Sequence, residues 1–305
     1  MGGGLAILVE GVIMGHHFVP RRYLKGFRSA ESNEKKSFIW MYDKLKGTAT
    51  NASIDTVAQQ AGFYDEDVED ELNKQVEIPG NDVINKIQRC EPISEFDRMH
   101  LTYYIATMIR RVPAARAKAE QYIPQIVEEV PREFRAWVEE AHRVGDIDDE
   151  TLARRLAEIT VAEEKFKKQP PEEVINQIRT PWPFQSMLVV IHSMNWRVIR
   201  TAGPSFFLTS DNPVSFFEDR GLGHHESEVT FPLCSDMLLH CGWQRCAEMT
   251  WEDNVKEYLV KEFNRRTAVG AKRFVFYHKK ADWILSVMQN GPGSINRINW
   301  VPSTR

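Results

Sequence analysis

Two adjacent histidines meet two arginines and a tyrosine in the run Met14-Gly15-His16-His17-Phe18-Val19-Pro20-Arg21-Arg22-Tyr23-Leu24-Lys25-Gly26-Phe27. Imidazole takes and returns a proton near neutral pH, and guanidinium has the shape to grip a phosphate or carboxylate. Pro20 suits the first turn of a helix, where its missing N–H would be unpaired anyway. A short helix over 19–28 is therefore expected, with the histidines at or just before its N-terminus, where backbone N–H groups can hold an anion. His16 or His17 becomes a candidate general base or metal ligand, with Arg21 or Arg22 as the anion grip and Tyr23 beside them. The bland account has one histidine packing or capping the helix and the arginines solvated.

A second constellation is Phe206-Phe207-Leu208-Thr209-Ser210-Asp211-Asn212-Pro213. An apolar strand ending in four polar residues delivers Asp211 and Asn212 to a sheet rim, where loops carry chemistry. The same residues also make Asx turns on their own backbone. Third, His100, Tyr104, Thr107 and Arg111 fall at i, i+4, i+7 and i+11, one polar stripe on an otherwise apolar helix, with Arg116 beyond Pro113. That stripe could line a cleft for an anion or simply face solvent. Glu69, Asp70, Glu71 and Glu77 form an acidic helix, which can hold Mg²⁺ or merely complement the helix dipole. His224, His225, Cys234, His240, Cys241 and Cys246 lack zinc-ligand spacing, and His240 and Cys241 point to opposite faces of a strand. No phosphate-binding glycine loop, nucleophile elbow or dinucleotide fingerprint is present.

Strands and helices must position these groups. Ser37 to Tyr42 is aromatic and apolar and runs into Asp43-Lys44-Leu45-Lys46-Gly47, a strand into a turn, with a second short segment at 54–59. From about 67 to 195 the spacing is helical: Val68, Leu72 and Val76 step by four, and Ser94 with Asp97 forms a capping box. Pro113 should interrupt that helix, Pro124 and Pro131 punctuate the stretch beyond it, Asp148 or Asp149 opens another helix, and 165–171 is an exposed break. A further helix is expected over 183–193. Beyond Trp196, 197–200 and 205–208 are expected to form a hairpin across Ala202-Gly203-Pro204, with strands at 228–231, 237–241 and 273–277. Thr250-Trp251-Glu252-Asp253 has the form of a capping box opening a helix with Val255, Leu259 and Phe263. Strands at both ends with helices between predict an α+β fold: a mostly antiparallel sheet of N- and C-terminal strands packed on a central helical region. The expected organisation is an extension at 1–13, one domain over 14–290 and a tail at 291–305.

At 305 residues the chain can bury a substantial core, and its 42% apolar and 27% charged residues are ordinary for a globular protein. A net charge of −4 argues against non-specific coating of nucleic acid but leaves room for a local basic cleft. Four cysteines are too few for a disulfide scaffold and point to a reducing, cytoplasmic setting. Met1 to Ile13 lacks the basic start of a signal peptide, and no stretch is long and apolar enough to span a bilayer.

Four stretches together resemble the bacterial family catalogued as domain of unknown function 4238. They are His16-His17-x-Val19-Pro20-x-x-Tyr23-Leu24-x-x-Phe27, Phe63-Tyr64 before the acidic helix, Thr209-Ser210-Asp211-Asn212-Pro213-Val214, and Phe231-Pro232-Leu233. Their order covers roughly residues 16–280; Cys234 stands where a serine is usual. The resemblance implies no activity. From the residues themselves, the expected function is a hydrolase acting on phosphodiester bonds, with nucleic acid or another phosphate-bearing ligand as partner. His16 or His17 would handle the proton, Arg21, Arg111 or Arg116 would hold phosphate, and Asp211 would orient the histidine or bind a divalent metal. Tyr23 and Asn212 are further candidate ligand contacts. The alternative is a non-catalytic protein that binds an anionic ligand or partner with the same arginines. Substrate, metal and oligomeric state stay open.

Overall fold

Phe38–Asp43 (β2) has nearly every side chain buried, as a strand between two neighbours must. It pairs antiparallel with Thr48–Ser53 (β3) and with Phe274–Tyr277 (β11), which in turn pairs with Thr209–Ser210 (β6). The expected union of N- and C-terminal strands is thus made directly, Trp40 lying opposite Tyr277 and Tyr42 opposite Val275. The structure, a computed structural model, describes residues 15–33, 37–64, 66–168, 179–201, 204–218, 220–243, 249–253 and 255–289. The expected extension at 1–13, the tail at 291–305, Ala202-Gly203, Cys246 and residues 169–171 of the expected break lie outside them, while its residues 165–168 are helical.

A second sheet holds Asn195–Arg200 (β5), Ser215–Phe216 (β7), Glu228–Pro232 (β8), Met237–Gly242 (β9) and Thr250–Asp253 (β10), in the order β10-β5-β9-β8-β7. A two-stranded ribbon pairs Gly15–His17 (β1) with Gln59–Ala61 (β4). Pairs within the three sheets are antiparallel except β10 with β5. The fold is α+β.

Contacts divide the described chain into two units. One draws on residues up to Val112 and from Pro183 onward; the other is Pro113–Trp182. In the first unit, Glu66–Glu71 (α2) passes through a π-wound turn, Leu72–Glu77, into Ile78–Gln88 (α3), and Glu95–Arg110 (α4) comes next. The Ser94 hydroxyl accepts the Asp97 N–H at 3.1 Å, and the Asp97 carboxylate accepts the Ser94 N–H at 2.9 Å, the capping box that starts α4. The helix ends at Arg110 because Pro113 cannot continue it. The stripe of α4 faces inward: Tyr104, Thr107 and Arg111 are all buried.

Gly80 lets α3 approach α4. A Cβ there would lie 2.4 Å from Tyr104 Cδ2 and 2.6 Å from its Cβ, atoms that cannot swing aside. Gly80→Ala is expected to destabilise by about 1–3 kcal/mol through overpacking, at the upper end of that range and well beyond the ~1 kcal/mol alanine gains in a helix. Denaturant unfolding of the variant checks this, and an unchanged or raised midpoint would contradict the packing.

The second unit consists of Pro113–Gln121 (α5), Ile123–Arg143 (α6) and Asp149–Lys168 (α7). Pro131 sits inside α6 instead of breaking it. Asp148 accepts the Thr151 N–H at 2.8 Å at the start of α7, and Arg135 spans to Glu163 of α7 at 2.7 Å.

Returning to the first unit, Gln185–Ser193 (α8) precedes β5, and Glu257–Gly270 (α9) and Trp283–Gln289 (α10) flank β11. Two expectations fail here. The segment 205–208 does not pair with β5; Phe207 donates to Ser235 O and Leu208 to Asn264 Oδ1, each at 2.8 Å, while β5 takes β9 and β10 as neighbours. Thr250 to Asp253 is a strand, Trp251 opposite Val198, and the helix opens later at Glu257. A ladder partner supplied by distant sequence outweighs a local cap.

Candidate functional site

His16 and His17 lie on β1, opposite Gln60 and Gln59 of β4. They do not cap a helix. Phe18 and Val19, both buried, separate them from Arg21–Leu24 (α1), which is only four residues long. The Tyr23 hydroxyl, fully buried, donates to Pro232 O at 2.8 Å, sits 2.7 Å from Thr209 Oγ1, and its ring stacks on Phe231. Tyr23 therefore anchors α1 to the sheets, and the exposed Arg21, Arg22 and Lys25 are left to face a cleft.

That cleft encloses about 730 Å³. It is lined by β1, by Arg21, Arg22 and Lys25, by Glu69 and Asp70 of α2, by Asn73 and Glu77 of the π-wound turn, and by Gln59. Isolated π turns in helices often mark functional sites. Arg21 pairs with Asp55 at 3.2 Å and Arg22 with Asp82 at 2.6 Å, both in solvent.

The two histidines are held in opposite tautomers. His16 Nδ1 accepts the Tyr64 N–H at 3.1 Å, so neutral His16 carries its proton on Nε2. His17 bonds the Asp55 backbone carbonyl while its Nε2 is buried without a partner. Nδ1–H is then the donor, and Nε2 presents a bare lone pair. Burial lowers the His17 pKa from its ordinary 6.5, helped by Arg21 and opposed by Glu77. His17 is accordingly neutral at pH 7.

Behind the histidines stands Arg111, 1% exposed. Its guanidinium donates to Glu77 Oε1 at 2.7 Å and to His17 O at 2.5 Å, and Tyr64 donates its hydroxyl to Arg111 O at 2.7 Å. Arg111 supports the wall from within; it does not reach for a ligand. Glu69 accepts the His17 N–H, and its Oε2 is buried without a hydrogen bond, 3.9 Å from an Arg111 nitrogen. Burial raises the Glu69 pKa, an effect that Arg111 opposes.

The second motif serves another purpose. Asp211 is 5% exposed and accepts the N–H groups of Lys272, Arg273 and Phe274 at 2.8, 2.7 and 2.9 Å. Asn212 donates to Gly270 O at 2.9 Å. Both tie β6 to the start of β11, and neither lines the cleft. The two motifs touch through Tyr23 and Thr209, and the Asp55 carbonyl orients His17 where Asp211 was expected to. Arg116 belongs to the second unit, 3.7 Å from Glu120. Glu69, Asn73 and Glu77 line the cleft with the histidines in their stead. Their spacing, i, i+4 and i+8, was a signal in the sequence, hidden among neighbouring carboxylates.

Among the described residues, one trio of metal-ligand side chains has donor atoms within 4.8 Å of one another: His224, His225 and Glu226. His224 Nδ1 accepts the Glu226 N–H at 3.2 Å, which puts the neutral ring's proton on Nε2, and Glu226 pairs with Arg220. Both contacts oppose a metal there. Cys234 instead contacts Asp236, burial pushing its thiol up to about 12, and His240 sits 3.3 Å from Glu228. His17 Nε2 and Glu69 Oε2 lack hydrogen bonds, but both atoms are closed to solvent.

A family model described as protein of unknown function (DUF4238) matches residues 15–281. The chain belongs to the DUF4238 family. In this DUF4238 protein the match takes in the whole cleft, from Gly15 to Glu77, and the Asp211 tie. No curated protein and no solved structure matches the chain. Among the described residues, no helix is long and apolar enough to cross a membrane.

Proposed function

We propose that the cleft is the active site of a hydrolase that cleaves phosphodiester bonds, with nucleic acid as the substrate class. The observation that carries this is the lining of the cleft, His16 and His17 beside the exposed Arg21, Arg22 and Lys25, with His17 a neutral imidazole whose Nε2 makes no hydrogen bond and, closed to solvent here, has to turn out to the cleft to act. Such a base takes the proton from water as its oxygen attacks phosphorus, and passes it to the leaving oxygen through solvent. The three cations and His16 Nε2–H stabilise the charge growing on the non-bridging oxygens. Among the described residues, the side chains lining the cleft include no hydroxyl or thiol, which favours water as the nucleophile. Cys90, Cys234 and Cys241 are free thiols, in keeping with a cytoplasmic setting.

Hydrolysis of bis(p-nitrophenyl) phosphate, with and without added Mg²⁺ or Mn²⁺, tests the proposal. Lys25→Ala should lower kcat/KM several-fold, with part of the loss in kcat, and the effect should shrink at high salt because Lys25 is exposed. The second reading, anion binding without catalysis, draws on the Arg21–Asp55 and Arg22–Asp82 pairs, which hold the cations in place with no proton to move. Phosphate binding by calorimetry without any release of p-nitrophenolate would select it.

A further inference from the structure

We infer that the second unit pairs with the same unit of another copy of this chain, through the outer face of α6, to close a four-helix bundle. The inference is independent of the cleft. It starts from how little the unit buries. In its three helices the buried residues among those described are Val127, Pro131 and Val138, all on α6, while α5 and α7 bury none. Two antiparallel helices offer each other one side apiece and cannot enclose a core alone.

Helix α6 carries two seams of heptad spacing, the mark of a helix packed along its length on another helix. Pro131, Arg135, Val138 and His142 form the first, which faces α7: Arg135 reaches Glu163 and His142 reaches Asp149, each at 2.7 Å. One residue back, the same spacing recurs in Val130, Phe134, Trp137, Ala141 and Val144. One residue is about 100° of helix rotation, so the second seam looks out roughly a quarter-turn from the first. In a four-helix bundle the two neighbours of any helix stand in that relation. No helix of the same chain covers this seam: Phe134 is 53% exposed and Trp137 69%, with Val130 and Val144 exposed beside them. Contiguous apolar surface of this kind marks an interaction site.

The seam suits a copy of itself. Run antiparallel about a two-fold axis, it sets Phe134 beside Trp137 of the other copy, twice over, at the centre. Toward either end the larger Val130 meets the small Ala141. Phe134 and Trp137 alone would hide roughly 250 Å² per copy, at about 150–250 Å² for a whole aromatic side chain. Doubled by the axis, that is about half of the 1,000 Å² or so that a specific interface needs, and Val130, Ala141, Val144 and their flanks add to it. Glu133 and Glu140 border the seam on the side away from α7, and each would approach the other's counterpart across the axis. Arg143, which donates to Glu140 at 2.7 Å, supplies the cation that offsets this repulsion.

The test uses the full chain, its mass measured by light scattering over a dilution series from the micromolar range. The wild type should be a dimer that dissociates on dilution. Trp137→Glu should weaken association by about a hundred-fold or more, because it sets a carboxylate at the centre of the apolar contact. Phe134→Glu should do the same, and both should keep the parent's far-ultraviolet circular dichroism, since neither side chain is buried within one chain. Val161→Glu, exposed on α7 and off the seam, should leave the dimer intact. A wild type that stays monomeric, or a dimer indifferent to Trp137→Glu and Phe134→Glu, would overturn the inference, as would loss of the dimer in Val161→Glu. Binding of an amphipathic peptide with lysine flanks by a monomeric wild type would overturn it in favour of a basic helical partner.

Discussion

Arg111→Met is expected to destabilise the first unit by about 3–5 kcal/mol, the usual cost of removing one partner from a buried ion pair. The guanidinium is 1% exposed and serves Glu77 and the His17 carbonyl together. Without it, the Glu77 carboxylate, 13% exposed, is left without its cation and the His17 carbonyl without its donor. Arg111→Lys should fall between, since an ammonium keeps the charge but cannot bridge both acceptors in one plane. Urea unfolding measures both, and the thermal midpoint should drop on the order of 10 °C for methionine. A loss below about 1 kcal/mol would mean that the guanidinium does not brace the wall. Salt should hardly alter the effect, because buried charges are poorly screened.

His17→Gln should lower diester turnover by about 10²–10⁴-fold, the ordinary yield of a positioned base, while phosphate affinity and the thermal midpoint stay close to those of the parent. The wild-type rate should be level above pH 6.5 and fall on the acid side, with its midpoint below 6.5 because burial lowers the His17 pKa. Stability should move the same way. The unfolded chain takes up this proton at about pH 6.5 and the native one only at lower pH, so the contribution is complete above 6.5 and is lost as pH falls. An acid limb centred above 6.5, or a His17→Gln variant that turns over normally, would remove His17 from the chemistry.

Much of the fold was legible. Phe38 to Tyr42 and Phe274 to Tyr277 are too apolar to be anything but buried strands, and Ser94 with Asp97 marks its helix start by local bonding alone. The failures depended on partners far along the chain. Trp251 becomes a strand residue because Val198 is beside it, and no local pattern says so. The candidate site divides along the same line. Residue type picked out His16 and His17, but their tautomers are set by Tyr64 and Asp55, neither of which looks chemical in sequence. Asp211 had the type and position of a reactive carboxylate, yet three amide groups already occupy it. Arg111 and Tyr23 had the type of ligand contacts, and burial makes them supports.

The pairing of β2 with β11 also sets a timetable for synthesis. β3 comes directly after β2 and can cover one edge as the chain emerges. The other edge waits for Phe274, which leaves the ribosome more than 200 residues later, a delay of roughly ten to fifty seconds at ordinary elongation rates. Throughout that interval the aromatic strand is an open template for any neighbouring nascent chain. Pro113–Trp182, continuous in sequence, has no such wait. Slowed translation downstream of Asp43 should therefore favour misassembly on polysomes, and any message cut short before codon 274 yields a product with that edge permanently uncovered.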